Sequence, residues 1–170
     1  MTRASSIRIA AISQTIPAAY RRSADGGYRG PVQRQLPGGY ELDDDPSRLD
    51  LEAVHRYLSE EAYWALGRSR ETVERLAREA TRVVGIYLGA MQVGYCRSVS
   101  DGVSFAYLAD VYVLPEHRGR GLGKAMVREM VQDGSLSGVS WILHTRDAHS
   151  LYASMGFVAP SARVMERPGG

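Results

Sequence analysis

The chain lacks the features of a disulfide-stabilised, membrane-spanning or strongly polybasic protein. Cys96 is its single cysteine, so an intramolecular disulfide is excluded and a reducing compartment, the cytoplasm, is expected. No apolar run approaches the roughly 20 residues that a membrane-spanning helix requires. The formal net charge of +2 over 170 residues excludes a molecule built as a whole to bind polyanions. The length fits a soluble domain with a core of its own.

Charge is nevertheless uneven along the chain. Residues 1–39 contain six arginines and one acid, a net charge of +5, while the remainder carries −3. Their Gly, Pro and Ser content predicts a flexible or extended arm over 1–39, followed by a domain over 40–170. The composition of the arm also fits a mitochondrial transit peptide. Nucleic-acid binding is not predicted, because Tyr20 and Tyr28 are the only aromatic residues of the arm.

Common ligand-binding patterns are missing as well. The acidic run Asp43-Asp44-Asp45 lacks the spacing of a calcium loop, so no metal site is predicted. The P-loop pattern requires Ser or Thr after its lysine, whereas Ala125 follows Lys124. The run Gly119-Arg120-Gly121-Leu122-Gly123 closes one residue too early for the dinucleotide pattern G-x-G-x-x-G.

The sequence does contain a strand, a proline turn and a glycine-rich helix start in direct succession. The strand ends at Val113, Pro115 opens the turn, and apolar residues at helical spacing follow: Leu122, Ala125, Met126 and Met130. The first turn of a helix has N–H groups without internal partners. Three glycines, Gly119, Gly121 and Gly123, permit positive φ and close approach of a ligand, and Arg118, Arg120 and Lys124 add positive charge. We therefore expect a phosphate group here.

Two motifs resemble those of one family. Arg118-x-x-Gly121-x-Gly123, preceded by Val113-x-Pro115, resembles the pyrophosphate loop of the GNAT superfamily of acyl-CoA-dependent N-acetyltransferases. Downstream, Leu151 to Phe157 (LYASMGF) is similar to the LYxxxGF motif of the same superfamily. The resemblance covers roughly residues 40 to 165.

The predicted elements agree with the α+β fold of that family, three α/β/α layers around a mixed, mostly antiparallel sheet. Tyr40 to Leu42 predict a strand, and two helices follow caps at Asp50 and Ser69. An antiparallel meander is predicted next, with turns at Gly89-Ala90 and Asp101-Gly102. The later predicted elements are a helix to about Gln132, a strand over Ser140–His144, a helix over Ala148–Met155, and closing strands at Phe157–Val158 and Ala162–Met165.

The resemblance implies acetyl-CoA as co-substrate, with its pyrophosphate on the glycine-rich loop and its pantetheine arm along the preceding strand. In the family this strand parts from the one corresponding to Trp141–Thr145, which leaves main-chain groups available. Thr145 occupies a position that is commonly Asn. The predicted cofactor-binding residues are Val111, Tyr112, Val113, Arg118, Gly119, Arg120, Gly121, Leu122, Gly123, Lys124 and Thr145.

The resemblance further implies direct transfer of acetyl to a primary amine of a small molecule or peptide, in a ternary complex. Tyr152 matches the general acid of the family, and it either donates a proton to the CoA thiolate or only orients the sulfur. Donation from an ordinary phenol to a thiolate is uphill by ~2 kcal/mol. Covalent catalysis by Cys96 is not expected, because Arg97 is the only cation beside it in the sequence.

A general base is harder to assign. A lysine-like amine is neutral in only about one molecule in 2,500 at pH 7, so a group must accept its proton. The glutamate that many family members carry falls on Tyr107. Asp110, His144, and Glu60 or Glu61 acting through water remain alternatives, and regular alternation would place Asp110 on the face opposite Tyr107.

The acceptor pocket is expected at the connection between the first two helices. Candidate substrate contacts are Glu60, Glu61, Tyr63, Trp64 and Tyr107, which suggest a cationic, partly apolar acceptor. Because the family's glutamate is missing, a non-catalytic acyl-CoA-binding regulatory module of the same fold is the alternative function. No membrane partner is predicted, and a homodimer stays open.

Overall fold

The computed structural model describes residues 32–162 and 164–167, and these residues form a six-stranded sheet. The strands lie in the order of the sequence, and every neighbouring pair is antiparallel except the last, which is parallel. They are β1 (Gln33–Leu36), β2 (Tyr40–Asp43), β3 (Arg82–Leu88), β4 (Met91–Ser100), β5 (Phe105–Val113) and β6 (Ser140–Ile142).

Four α-helices flank the sheet: α1 (Leu51–Glu60), α2 (Arg70–Glu79), α3 (Leu122–Arg128) and α4 (His149–Ala153). The two predicted caps are present, since the Asp50 side chain accepts from the Ala53 N–H and the Ser69 side chain from the Thr72 N–H. A π-helical segment, Glu129–Asp133, continues α3 to the end that the apolar spacing predicted. No helix in the described ranges has the length and apolarity needed to cross a bilayer.

Two apolar cores lie on opposite faces of the sheet. One includes Val54, Leu58 and Val73 from α1 and α2, packed on Tyr95 and Tyr112. The other contains α3 residues such as Met126, packed with Val84 and Leu108 of the sheet and with Tyr152 of α4. This is an α/β/α arrangement around a mixed sheet, so the predicted α+β fold class is confirmed.

The predicted boundary between arm and domain, at Gly39, falls inside a β-hairpin. Strand β1 pairs with β2 from Gln33↔Asp43 to Leu36↔Tyr40, so the sheet begins before the predicted first strand. A turn with Gly38 at φ 79° and Gly39 at φ 78° joins them, which explains why its Pro-Gly-Gly sequence resembled a linker. The rest of the predicted arm, residues 1–31, lies outside the described residues.

The prediction of closing strands after α4 is wrong for the described residues. No ladder forms at Phe157–Val158, at Ala162 or over 164–165, and Val158 and Met165 are 88% and 93% exposed. Strand β6 is short and pairs with β5 at only three positions, from Phe105↔Ser140 to Tyr107↔Ile142. Its edge therefore offers few hydrogen bonds to a further strand.

A buried ion-pair network ties α3 to the sheet. Arg82, 3% exposed at the start of β3, donates to Asp44 Oδ2 at 2.8 Å and to Glu129 Oε1 at 2.7 Å. Its Nη1 also donates to the Glu129 carbonyl oxygen at 2.7 Å, at the first residue of the π-helical segment. Gly134 lies against this guanidinium, where a Cβ would be 1.9 Å from Arg82 Nη1.

Candidate active site

A β-bulge shapes the middle of β5. Tyr95 pairs with Tyr112 and Arg97 with Ala109, so that Asp110 and Val111 together face the single residue Cys96. Asp110 has φ 52°, the only positive φ of a non-glycine residue in the described part of the chain. Because the bulge inserts one extra residue, the side chains that follow it lie on the face opposite to the one that regular alternation predicts.

That inversion corrects one expectation from the sequence. Leu108 and Val113 both lie in the α3 core although they are five positions apart, whereas Asp110 contacts Trp64 and Arg68 on the opposite, α1–α2 side of the sheet. Regular alternation had placed Asp110 opposite Tyr107. The extra residue of the bulge is the physical reason for the difference.

Strands β5 and β6 separate just before the bulge. Their parallel pairing ends at Tyr107↔Ile142, so the following part of β5, to Val113, has no strand partner on that side among the described residues. A cleft of about 1100 Å³ opens there, between the α1–α2 connection, β5, the start of α3 and the start of α4. Every predicted cofactor-binding residue lines it except Arg120, and so do Tyr152, Asp110, His144, Glu61, Tyr63, Trp64 and Tyr107. Glu60 and Arg120 do not.

The glycine-rich loop closes one end of this cleft. Gly119 and Gly121 have φ values of 74° and 78°, and a Cβ on either would meet nothing within 4 Å. Gly121 is the N-cap of α3 without a side-chain cap, and the first helical bond runs from Ala125 N to the Gly121 oxygen at 2.9 Å. The N–H groups of residues 122–124 precede that bond and have no partner within the helix.

Gly123 differs from the expectation that all three loop glycines take positive φ, because it is a helical residue. A Cβ there would lie 3.9 Å from Val113 Cγ2, an ordinary contact. Its lack of a side chain leaves open the space in front of the free amides, between the helix start and the end of β5.

Arg118 is a positioning residue rather than a free cation at the rim. Its Nε donates to the Val113 carbonyl at 2.9 Å and its Nη2 to the Tyr57 hydroxyl at 2.8 Å. Tyr57 in turn stacks on Tyr112, with ring centroids 4.0 Å apart. Arg118 therefore fixes the end of β5 against α1, and Lys124 is the second loop cation that lines the cleft.

Tyr152 lies in α4 with its ring against Phe157, 5.8 Å between centroids. The residue is 7% exposed, and burial raises the pKa of its phenol to about 12. The phenol is therefore a protonated hydrogen-bond donor at any physiological pH. Thr145 contributes to the position of α4, because its Oγ1 accepts from the Ala148 N–H at 3.0 Å.

Tyr107 and His144 form a polar chain from the cleft to the surface. The Tyr107 hydroxyl is 3.1 Å from His144 Nδ1, and His144 Nε2 is 2.7 Å from Glu166 Oε1. When Nε2–H donates to Glu166, Nδ1 is free to accept from the Tyr107 O–H. Burial, and then the charge of Asp110, raise the pKa of the Tyr107 phenol, while Arg97 partly opposes that rise.

Asp110 is held by three donors. Arg97 Nε donates to Oδ2 at 2.6 Å, Arg68 Nη1 contacts both carboxylate oxygens at 3.0 Å, and Trp64 Nε1 donates to Oδ1 at 3.2 Å. A carboxylate in this position could accept a proton only by giving up ion pairs that are largely shielded from water. Asp110 therefore anchors the α1–α2 connection to the bulge.

The same connection also contacts the loop after β6. The Tyr63 hydroxyl accepts from the Arg146 N–H at 3.1 Å, and the Arg146 guanidinium lies 3.7 Å from the Tyr63 ring centroid. Sequence reasoning missed Tyr57, Arg68 and Glu166, which are brought to the site by packing from distant parts of the chain. Cys96 is fully buried and its thiol pKa is raised to about 12, in agreement with the expectation that it is not a nucleophile.

A mixed sheet whose parallel strands part beside the glycine-rich start of α3 is the architecture that the resemblance implied. The model of the acetyltransferase (GNAT) domain matches residues 79–159. A presumed acetyltransferase of the GNAT family from Xanthomonas campestris pv. campestris is 38% identical, with a TM-score of 0.74 over 79% of this chain and 96% of that one. The chain belongs to the GNAT acetyltransferase family, as predicted.

Two further relatives extend the comparison. A presumed acetyltransferase from Gibberella zeae is 31% identical over 114 residues, which are 56% of this chain and 64% of that protein. The chain thus matches about two thirds of the length of this curated relative. A Staphylococcus aureus protein of unknown function is 20% identical, with a TM-score of 0.61 over 77% of this chain and 98% of that one, and shares the fold.

Proposed function

We propose that the protein transfers an acetyl group from acetyl-CoA to a primary amine by direct attack in a ternary complex. The single observation that carries this proposal is the set of unpaired N–H groups at the start of α3, beside the parting of β5 and β6. The free amides of residues 122–124 and the positive end of the helix dipole would hold the pyrophosphate. Lys124, which lines the cleft, adds a cation.

The unpaired main chain of β5 before Val113 would then bind the amide groups of the pantetheine arm. Arg118 already uses the Val113 carbonyl, and the main-chain groups of Tyr112 face Tyr95 of β4, so we assign the pantetheine contacts to the main chain of Val111 and to the Val113 N–H. This arrangement would bring the thioester to the bulge, with Tyr152 on one side and Tyr107 on the other, since all of these residues line one cleft. Acetyl transfer then depends mainly on positioning and electrostatics.

The neutral phenol of Tyr152 would donate a hydrogen bond to the sulfur as negative charge develops there. Its pKa of about 12 makes it a weak acid, so full proton transfer would come late in the reaction. The raised pKa makes full proton donation more unfavourable than it is for an ordinary phenol.

The chain from Tyr107 through His144 to Glu166 would accept the proton of the amine. The amine or a bridging water would donate to the Tyr107 oxygen while its O–H donates to His144 Nδ1. Glu166 stabilises the imidazolium that results. Among the candidates from the sequence we prefer His144 to Asp110, because three donors hold the Asp110 carboxylate.

The decisive experiment replaces Gly123 by Glu. The new carboxylate would lie in front of the free amides, and the helical φ of this position accommodates a side chain, unlike the positive φ of Gly121. We expect G123E to weaken acetyl-CoA binding at least 100-fold, since charge-assisted hydrogen bonds contribute about 1.5–3 kcal/mol each. Gly138→Glu is the control, because Gly138 lies in open space away from the cleft.

Calorimetry measures the binding, and release of free thiol on incubation with amines measures the transfer. Tight binding of acetyl-CoA to G123E would contradict the proposed anion site. Binding to the wild type without thiol release in the presence of any amine would favour the regulatory module.

A further inference from the structure

The wall of the cleft formed by β4, β5 and the α1–α2 connection contains two arginines that share a single carboxylate. Arg97, on β4, and Arg68, in the α1–α2 connection, both pair with Asp110, which leaves a net charge of +1 in the cluster. Arg97 is 8% exposed and Arg68 is half-buried in the same wall of the cleft. Within residues 32–162 and 164–167, neither guanidinium pairs with a second carboxylate.

Both guanidinium groups also have N–H donors that Asp110 does not use. Arg97 uses its Nε on Asp110, and Arg68 uses its Nη1, so that Nη1 and Nη2 of Arg97 and Nη2 and Nε of Arg68 contact no acceptor in the described part of the chain. These N–H groups are not sealed in the protein interior: they are open to the water of the cleft, where an anion could replace that water as their acceptor. The arrangement fits an anion-binding site in which the Asp110 carboxylate orients the guanidinium groups of Arg97 and Arg68.

The position of this cluster relates it to the acceptor rather than to acetyl-CoA. Arg97 pairs in register with Ala109, next to the bulge, and its charge acts on the Tyr107 phenol. The loop that would hold the pyrophosphate follows the C-terminal end of β5, after Val113. An anion on Arg97 and Arg68 would therefore belong to the molecule whose amine is acetylated.

We propose that the acceptor is an amino acid or another small amine that carries a carboxylate, bound by the free N–H groups of Arg97 and Arg68. This inference rests on the proposed function and replaces the cationic acceptor suggested by Glu61 and Trp64. A carboxylate matches the single uncompensated positive charge, whereas a phosphate dianion would exceed it. Planar guanidinium groups also fit the two oxygens of a carboxylate.

The test compares matched acceptors on the full-length protein. The pairs differ only in the carboxylate: phenylalanine and phenethylamine, lysine and cadaverine, 4-aminobutyrate and propylamine. Phosphoethanolamine and ethanolamine form the phosphate arm. We expect kcat/KM to favour the carboxylate member of at least one pair by about 10- to 100-fold, mainly through KM. The same acids should bind the CoA complex more tightly than the matched amines in calorimetry, a readout that requires no turnover.

Variants assign the effect to the cluster. Arg97→Gln and Arg68→Gln should each reduce the carboxylate preference at least tenfold, and Arg97→Lys should restore part of it because it keeps the charge. Arg75→Gln, an exposed arginine of α2 outside the cleft, should keep the wild-type preference.

Equal or better acetylation and binding of the carboxylate-free member of every pair would overturn the carboxylate assignment, as would a preference confined to the phosphate arm. In either case acetyl-CoA binding and thiol release would remain, so the proposed function would stand. Failure of the wild type to bind acetyl-CoA would overturn the proposed function itself.

Discussion

Replacement of Tyr152 by Phe tests how the site handles the departing sulfur. The phenol has a pKa of about 12 and a thiol one near 8.5, a difference of about 3.5 units or about 5 kcal/mol against full proton transfer. The phenol would therefore act mainly as a hydrogen-bond donor to developing negative charge, which is worth about 1.5–3 kcal/mol. We expect Y152F to lower kcat by about 10- to 100-fold.

The pH profile gives an independent check on the same residue. The donor form of a phenol is the protonated one, which is present below its pKa, so a raised pKa extends donation to higher pH. We expect the wild-type kcat to stay level past pH 10 instead of falling there, as it would with an ordinary tyrosine. Initial rates of thiol release between pH 6 and pH 10.5 measure this directly.

Y152F keeps the aromatic ring against Phe157, so its melting temperature should stay close to that of the wild type. Tyr87→Phe is the matched control, because it removes a buried hydroxyl that has no hydrogen-bond partner and lies outside the cleft. It should leave activity unchanged and the free energy of unfolding equal or higher. A decline of the wild-type kcat with an apparent pKa between 8 and 10 that disappears in Y152F would refute the reasoning. The phenol would then ionise at a lower pH than its burial implies.

Two further predictions concern the proton chain and the buried ion pairs. His144→Gln should lower kcat/KM about 10- to 100-fold at pH 7 and less at pH 10, because more of the amine is then neutral without help; an equal loss at both pH values would argue against a role in deprotonation. Gly134→Ala should reduce the free energy of unfolding by about 1–3 kcal/mol in denaturant titrations, because its Cβ would displace Arg82 from Asp44 and Glu129. Gly138→Ala, in open space, is the control and should change stability little.

Local signals explain why much of the fold could be predicted. Asp50 and Ser69 cap their helices through hydrogen bonds within three residues, and the Asp101-Gly102 turn joins neighbouring strands. Strand β1 was missed because its sequence, Gln33 to Leu36, is polar and has one apolar residue. Its strand conformation depends on the ladder with β2, which no local pattern reveals.

The residues of the candidate site also fall into two groups, those that local sequence predicted and those that only the fold brings together. The glycine-rich loop and the LYASMGF segment are each contiguous in sequence, so the residues of the loop and the resemblance to the family were enough to predict an anion site and a role for Tyr152. The partners of Asp110 come from positions 64, 68 and 97, and only folding brings them together. The bulge itself depends on pairing with β4, so alternation along one strand gave the wrong face for Asp110.

The sequence by itself therefore determined the family, the layer order and the place of the glycine-rich turn that we propose for phosphate binding, because each of these depends on residues close together in the chain. Only the tertiary structure revealed the cluster of charges in the part of the cleft that we propose for the acceptor. There the charge of one aspartate is shared between two arginines from different elements, and the free donors that result exist only when β4, β5 and the α1–α2 connection pack together.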